Sequence, residues 1–201
     1  GKEFRMNFPI EEINRLMQTR RSVFPRDYTG ERVPENVIRQ MLENARWAPT
    51  HKFTEPWRVV VFAGLGLKRL AEFQSECYRT VTTAKGSFRE DRYEALKTKP
   101  MQSSHILAIG MKRDSGKGIP EAEELGAVFC AIQNMYLTAT ACGAGCYLST
   151  GGITYMEEAK SFFGWGPEDK LVGFLHVGMP ARWPAQGKRK LVDEFTTWNI
   201  D

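Results

Sequence analysis

Between Glu121 and Ala141 the chain offers no polar face to the helix that its spacing predicts. Leu125, Val128, Phe129, Ile132, Met135, Tyr136 and Leu137 surround it with apolar side chains. Pro120 with Glu121, Glu123 and Glu124 suits the start of that helix, because proline costs no hydrogen bond in the first turn and carboxylates favour its positive end. A helix apolar on every side must be covered on every side. In a chain of 201 residues this points to a central helix or to a subunit interface. The length suits one sizeable α/β domain, spanning residues 1–201, or a domain that borrows part of its core from a partner.

The rest of the chain supplies the cover. Ile10, Ile13, Leu16 and Met17 recur at helical spacing up to Arg20. A second helix begins at Pro34 and presents Val37, Ile38, Met41, Leu42 and Ala45 on one face. Leu65–Thr83 and Met156–Phe163 also read as helices, and the highly charged 87–97 segment as an exposed helix or lid. Trp57–Ala63, His105–Met111 and Leu171–Val177 have the composition of fully buried strands. Gly143–Gly152 holds a short strand with glycine-rich edges, and the tail from Ala181 to Asp201 is expected to extend away and pair with another subunit.

Composition limits the class. Hydrophobic residues make up 42% and charged residues 26%, the balance of a folded soluble protein. No apolar run approaches the roughly 20 residues of a membrane-spanning helix. The opening Gly-Lys-Glu-Phe-Arg lacks the apolar stretch of a signal peptide. Cys77, Cys130, Cys142 and Cys146 lack paired CxxC spacing, so reduced thiols in a cytoplasmic protein are expected rather than a zinc site. The net charge of +4 is mildly basic.

Four segments can carry chemistry. Arg20-Arg21-Ser22 ends a helix with two guanidiniums and a hydroxyl, which is either an anion receptor or a solvated helix end favoured by the dipole. Lys188-Arg189-Lys190 is a second basic cluster, followed at once by Asp193 and Glu194, so the wide basic stripe of a nucleic-acid surface is missing. Ala48–Trp57 is a loop between a helix and a strand, where His51 is a ligand contact or a loop histidine bonded to backbone. Tyr147–Gly152 offers hydroxyls and amides, with glycines that let a flat ring approach the backbone. GxGxxG, GxSxG and P-loop patterns are missing.

Taken in order, these pieces resemble the nitroreductase family of FMN enzymes, in particular its short single-domain bacterial members. The resemblance rests on Arg20-Arg21-Ser22, on Ala48-Pro49-x-His51-Lys52 leading into Pro56-Trp57-Arg58, on the apolar helix running to Gly143-Ala-Gly, and on Leu171–Phe174 with Gly178-Met179-Pro180. It implies an α+β fold with a central mixed sheet flanked by helices, dimerised through long helices and exchanged tails, with FMN between the two subunits. By position, Arg20, Arg21 and Ser22 would hold the phosphate and ribityl side, joined by Lys188 and Lys190. His51 would contact the flavin, and Leu148, Ser149, Thr150 and Gly151 would meet the isoalloxazine ring. The implied activity is hydride transfer from NADH or NADPH to a nitroaromatic, quinone or enone by alternating half-reactions. No acid, base or metal need come from the protein.

Two departures bear on tuning. Phe53-Thr54-Glu55 stands where the family often has Asn-x-Gln, and Phe24 where many members carry a basic residue, with Arg26 as a substitute nearby. Loss of the amide at Phe53 motivates an alternative on the same fold, a flavin-binding protein that does not turn over or that consumes its flavin. A small nucleic-acid module is the remaining alternative from another class.

Overall fold

The computed structural model describes residues 7–201, so the reading of the amino-terminal Gly-Lys-Glu-Phe-Arg lies outside the described residues. The helices are α1 Ile10–Thr19, α2 Glu35–Ala45, α3 Leu65–Lys85, α4 Glu90–Thr98 and α5 Glu121–Ala141. The strands are β1 Trp57–Ala63, β2 His105–Met111, β3 Gly145–Ser149 and β4 Lys170–Gly178, hydrogen-bonded in the order β1-β2-β4-β3.

Each sheet face has its own core. On one, α5 and α2 bury Met41, Val128, Ile132 and Met135 against Leu107, Ile109 and Leu175. On the other, Leu67, Leu70 and Tyr78 of α3 meet Ile106, Ala108 and Phe174, together with Phe163 and Trp165. The alternation 106/107/108/109 along β2 is the period of two that a strand buried on both faces requires. β4 keeps both Val172 and Leu175 on the α5 side because an irregularity opposite Ile109/Gly110 shifts its register.

The expected mixed sheet is corrected here: all three strand pairings are antiparallel. α3 and α4 pack against each other and return the chain to the end of β1 where it left, so β2 pairs with Ala63 opposite His105. α5 does cross back to give β3 the direction of β2, but β4 inserts between them. The parallel component is a single bridge, Ser22 with Cys146, on the outer edge of β3.

Two further expectations change. Trp57–Ala63 is an edge strand with Arg58 and Val61 exposed, not a fully buried one; among the described residues no strand covers its second edge. Residues 157–163 form a 3-10 turn rather than an α-helix. α5 is not covered all round: Gly126, Phe129, Cys130 and Gln133 form an exposed stripe, with Phe129 44% exposed. α1 buries no residue at all. The tail leaves Leu191, Phe195, Trp198 and Ile200 exposed. Among the described residues no helix is long and apolar enough to cross a membrane.

Candidate functional site

The site is organised along the outer edge of β3. After α1 ends, the chain turns and runs beside that strand, with the Val23 amide donating to the Cys146 carbonyl at 2.8 Å. This close approach needs glycine: a Cβ on Gly145 would stand 2.9 Å from Val23 Cβ, and one on Gly178 would strike the Tyr28 ring. Ser22 thereby comes level with the middle of α5. Its hydroxyl lies 3.3 Å from the Tyr136 hydroxyl, which also accepts a hydrogen bond from the Leu148 amide at 2.7 Å. The Arg20 guanidinium sits 5.2 Å from the Tyr136 ring centre, a cation–π distance. One buried tyrosine of α5 therefore ties the Arg-Arg-Ser segment to β3. Burial pushes the Tyr136 hydroxyl above its ordinary range, so it is present as a neutral phenol.

The carboxy-terminal tail returns to the same place. Trp183 Nε1 donates to the Thr19 carbonyl at 2.8 Å, and Arg21 donates to the Ala185 carbonyl across 164 positions of sequence. A Cβ on Gly187 would meet both the Arg189 guanidinium, at 2.9 Å, and Arg21 Cδ, at 3.7 Å. The two basic clusters thus share one region, with Lys188 and Lys190 exposed beside Arg21. Among the described residues none of Arg20, Arg21, Lys188, Arg189 or Lys190 forms an ion pair. Arg21 and Arg189 meet at Gly187, with Lys188 and Lys190 flanking Arg189 in sequence, a donor set that fits a phosphate group.

Beyond Leu148 and Ser149, both half-buried, the chain leaves the sheet at Thr150 and Gly151, both exposed. Ser149 and Gly151 line a cavity of about 360 Å³ between β3, β4 and the α3–α4 pair. The ring of Phe24 packs 4.7 Å from that of Tyr147 on its wall. His176 also lines it, 3.2 Å from the Ser103 hydroxyl, and burial lowers this imidazole to about 4.

His51 is not part of this assembly. Its Nδ1 lies 2.9 Å from Glu123 at the start of α5, whereas Ser22 meets α5 at Tyr136. Thirteen residues at a helical rise of 1.5 Å separate those points by about 20 Å. The loop holding His51 has backbone strain that the sequence did not reveal. Lys52, Phe53 and Glu55 all have positive φ, at 50°, 54° and 44°, a region that costs a non-glycine residue roughly 1–2 kcal/mol. Mutual bonds pin it: Lys52 and Lys117 each donate to the other's carbonyl, and the Glu55 amide donates to Thr50 Oγ1 at 2.9 Å. Phe53 is left 80% exposed.

Sequence reasoning missed Tyr136, which it assigned to the apolar surround of the central helix. A hydroxyl in an otherwise apolar stretch was the available signal. It also passed over His176 and Gln74 of the cavity, which nothing in their local sequence distinguishes from core.

The model of the Nitroreductase family matches residues 17–179. Among relatives, YfhC of Bacillus subtilis (strain 168), provisionally assigned as an NAD(P)H nitroreductase, is 28% identical over 183 residues, which cover 90% of this chain and 91% of YfhC. A nitroreductase-like family protein from Bacillus cereus superposes with a TM-score of 0.80 at 25% identity, over 99% of both chains. The FMN-dependent nitroreductase NfnB from Mycobacterium smegmatis, solved in complex with NADPH, shares the fold at a TM-score of 0.70 and 21% identity, over 95% of this chain and 99% of its own.

Proposed function

The chain belongs to the nitroreductase family, and from that premise we propose that it is an FMN-dependent oxidoreductase working as a homodimer on a small acceptor. The observation that carries the reading is the meeting, beside β3, of cations from both ends of the chain that form no ion pair among the described residues. Arg20, Arg21, Lys188 and Lys190 would hold the phosphate, with Ser22 fixed by Tyr136 to receive the ribityl side. Leu148–Gly151 would present backbone groups and the Ser149 and Thr150 hydroxyls to the ring. Micromolar retention requires about 8 kcal/mol, within reach of several charge-assisted bonds at about 1.5–3 kcal/mol each together with ring burial.

When bound, FMN supplies reversible two-electron chemistry between a nicotinamide and the acceptor. For a nitroaromatic the balance is NAD(P)H, a proton and ArNO2 giving NAD(P)+, ArNO and water, in two half-reactions through one site. The protein's task is to stack the rings, exclude water and surround the developing negative charge with donors.

The same geometry supports the dimer. His51 lies about 20 Å from Tyr136 along one α5, so both can face a single ring only when one comes from each subunit. Two α5 helices packed antiparallel through the exposed 126/129/130/133 stripe would bring the start of one beside the end of the other. The uncovered α1 and the apolar tail supply further surface for this pairing.

A purified sample tests the reading. A yellow solution whose flavin absorbance bleaches on adding NADH or NADPH, and recovers with a nitroaromatic or quinone, is the expected result. Protein that stays colourless through FMN titration refutes it. Phe53 favours a second reading, because a phenyl group stands where the family resemblance sets a hydrogen-bonding amide; yellow protein that never bleaches would establish that non-turnover form instead.

A further inference from the structure

The cavity lined by Ser149 and Gly151 carries cations other than those assigned to the cofactor's phosphate. Two of its lining side chains are cations, Arg26 and Lys99, and none is a carboxylate. Both are exposed, so they stand at its solvent side. They belong to two short 3-10 turns, Pro25–Asp27 and Lys99–Gln102, that pack against each other. Neither forms an ion pair among the described residues, and the adjacent Asp27 is turned towards Arg182, at 3.6 Å. The rest of the lining is mainly aromatic and aliphatic, with the tilted Phe24–Tyr147 pair and Phe174 forming flat walls beside the polar Gln74 and His176. Arg26 lies 5.1 Å above the Phe24 ring, which holds its guanidinium over the cavity side of that wall.

A concave apolar site with a few convergent polar groups selects a ligand by shape and by those groups. We propose that the acceptor is a small nitroaromatic anion, a ring that bears a carboxylate or phenolate beside the nitro group taking up the electron pair, whose ring enters between Tyr147 and Phe174 while its anionic group meets Lys99 and Arg26. This rests on the oxidoreductase reading, since the ring of such an acceptor would then lie next to the stretch assigned to the flavin. A volume of about 360 Å³ admits a one- or two-ring compound. Neutral nitroaromatics would bind, but without the contribution of the two cations.

The test uses the flavin-loaded full-length protein. Benzoate and benzamide, neither of them reducible here, are titrated by calorimetry, and 4-nitrobenzoate and 4-nitrobenzamide are compared as acceptors. The expected result is at least a tenfold preference for the anion in both Kd and kcat/KM. Lys99→Gln should cut it to about threefold or less while leaving benzamide affinity unchanged, and Lys99→Arg should restore it. Equal binding of the two probes, or a preference that survives Lys99→Gln, overturns the proposal. So does benzoate that binds only the flavin-free protein and is expelled by FMN, because the cavity would then be the flavin's own. A Lys99→Gln protein altered only in its KM for NADPH overturns it too, by assigning the cations to the donor's phosphate. Bleaching by NADH or NADPH is scored separately. Protein that bleaches without an anion preference refutes the acceptor assignment alone, whereas failure to bleach refutes turnover and leaves the benzoate titration to decide the cavity.

Discussion

Two regions of this molecule are rich in charge, and they treat it in opposite ways. Around Arg113 the charges are buried and matched. Arg113 bonds to Glu124, whose side chain is fully buried, and to the Ile119 carbonyl. Asp169 accepts from the Gly166 and Arg113 amides, and Lys160 donates to the Pro167 and Asp169 carbonyls. Burial opposes ionisation of Asp169, yet those amides and Lys112 hold its carboxyl below the usual range. Around Arg21 the cations are half-buried (Arg20, Arg21) or exposed (Lys188, Arg189, Lys190) and have no carboxylate partner among the described residues. The first region spends its charges on joining the 112–120 loop to the 164–170 turn. The second keeps them available for a ligand. Where matched charge marks structure and unmatched charge marks binding, substitutions should separate the two properties.

The largest effect is expected in the matched region. Arg113→Ala leaves the Glu124 carboxylate buried without its cation, and its Oε2 already has no partner. A loss of about 3–5 kcal/mol follows from stranding a buried charge, read as a lower urea midpoint. Arg113→Met with Glu124→Leu should recover most of it. An Arg113→Ala protein with an unshifted midpoint would erase the distinction between the regions.

In the unmatched region, Arg20→Ala with Lys188→Ala should act on the ligand instead. Removing two charge-assisted bonds costs about 3 kcal/mol, more than a hundredfold in FMN affinity. The urea midpoint of the flavin-free protein should move by less than about 0.5 kcal/mol. A double variant that retains FMN at the original affinity refutes the phosphate assignment.

His176 sharpens the contrast, because it is buried like the first region yet has no carboxylate to keep it charged. Its imidazole sits at about 4 in the fold against about 6.5 in an unfolded chain. Above pH 6.5 both states are neutral and stability is complete. As pH falls towards 4 the unfolded state takes up a proton that the fold refuses, so stability declines across that window, by about 2–3 kcal/mol. His105, lowered chiefly by burial, adds to the decline with the same sign. Urea midpoints at pH 7 and pH 4.5 should differ less in His176→Gln than in the parent, and an equal difference in both would remove this role.

How much of this was legible in the sequence depended on range. Helices announced by period and proline, such as α2 and α5, lie within a few residues of their expected limits, because local spacing sets them. The sheet order did not show, since β4 enters between β2 and β3 through pairings up to 72 residues apart (His105 with Val177) that no local pattern encodes. The Arg-Arg-Ser and Lys-Arg-Lys clusters were visible as composition, but their meeting depends on Trp183 and Gly187 guiding the tail past Thr19 and Arg21. His51 was legible as a candidate, whereas its distance from Ser22 required knowing that α5 separates them. The strain at Lys52–Glu55 was hidden because none of those residues is glycine, the usual mark of a positive φ.

The smallest effect tests the join between the two kinds of region. Tyr136 belongs to the core of α5 and touches the binding edge, so Tyr136→Phe keeps the packing and removes one hydroxyl. The Leu148 amide then loses its acceptor at 2.7 Å and Ser22 its neighbour at 3.3 Å. A part-buried amide left unpaired costs about 1 kcal/mol, which should appear as a small drop in the urea midpoint. A purely structural tyrosine would stop there. One that positions the Arg-Arg-Ser segment should also speed FMN release several-fold, because Ser22 and Arg20 lose the group that fixes them relative to β3. Unchanged release in stopped flow, with the stability loss intact, would assign Tyr136 to the core alone.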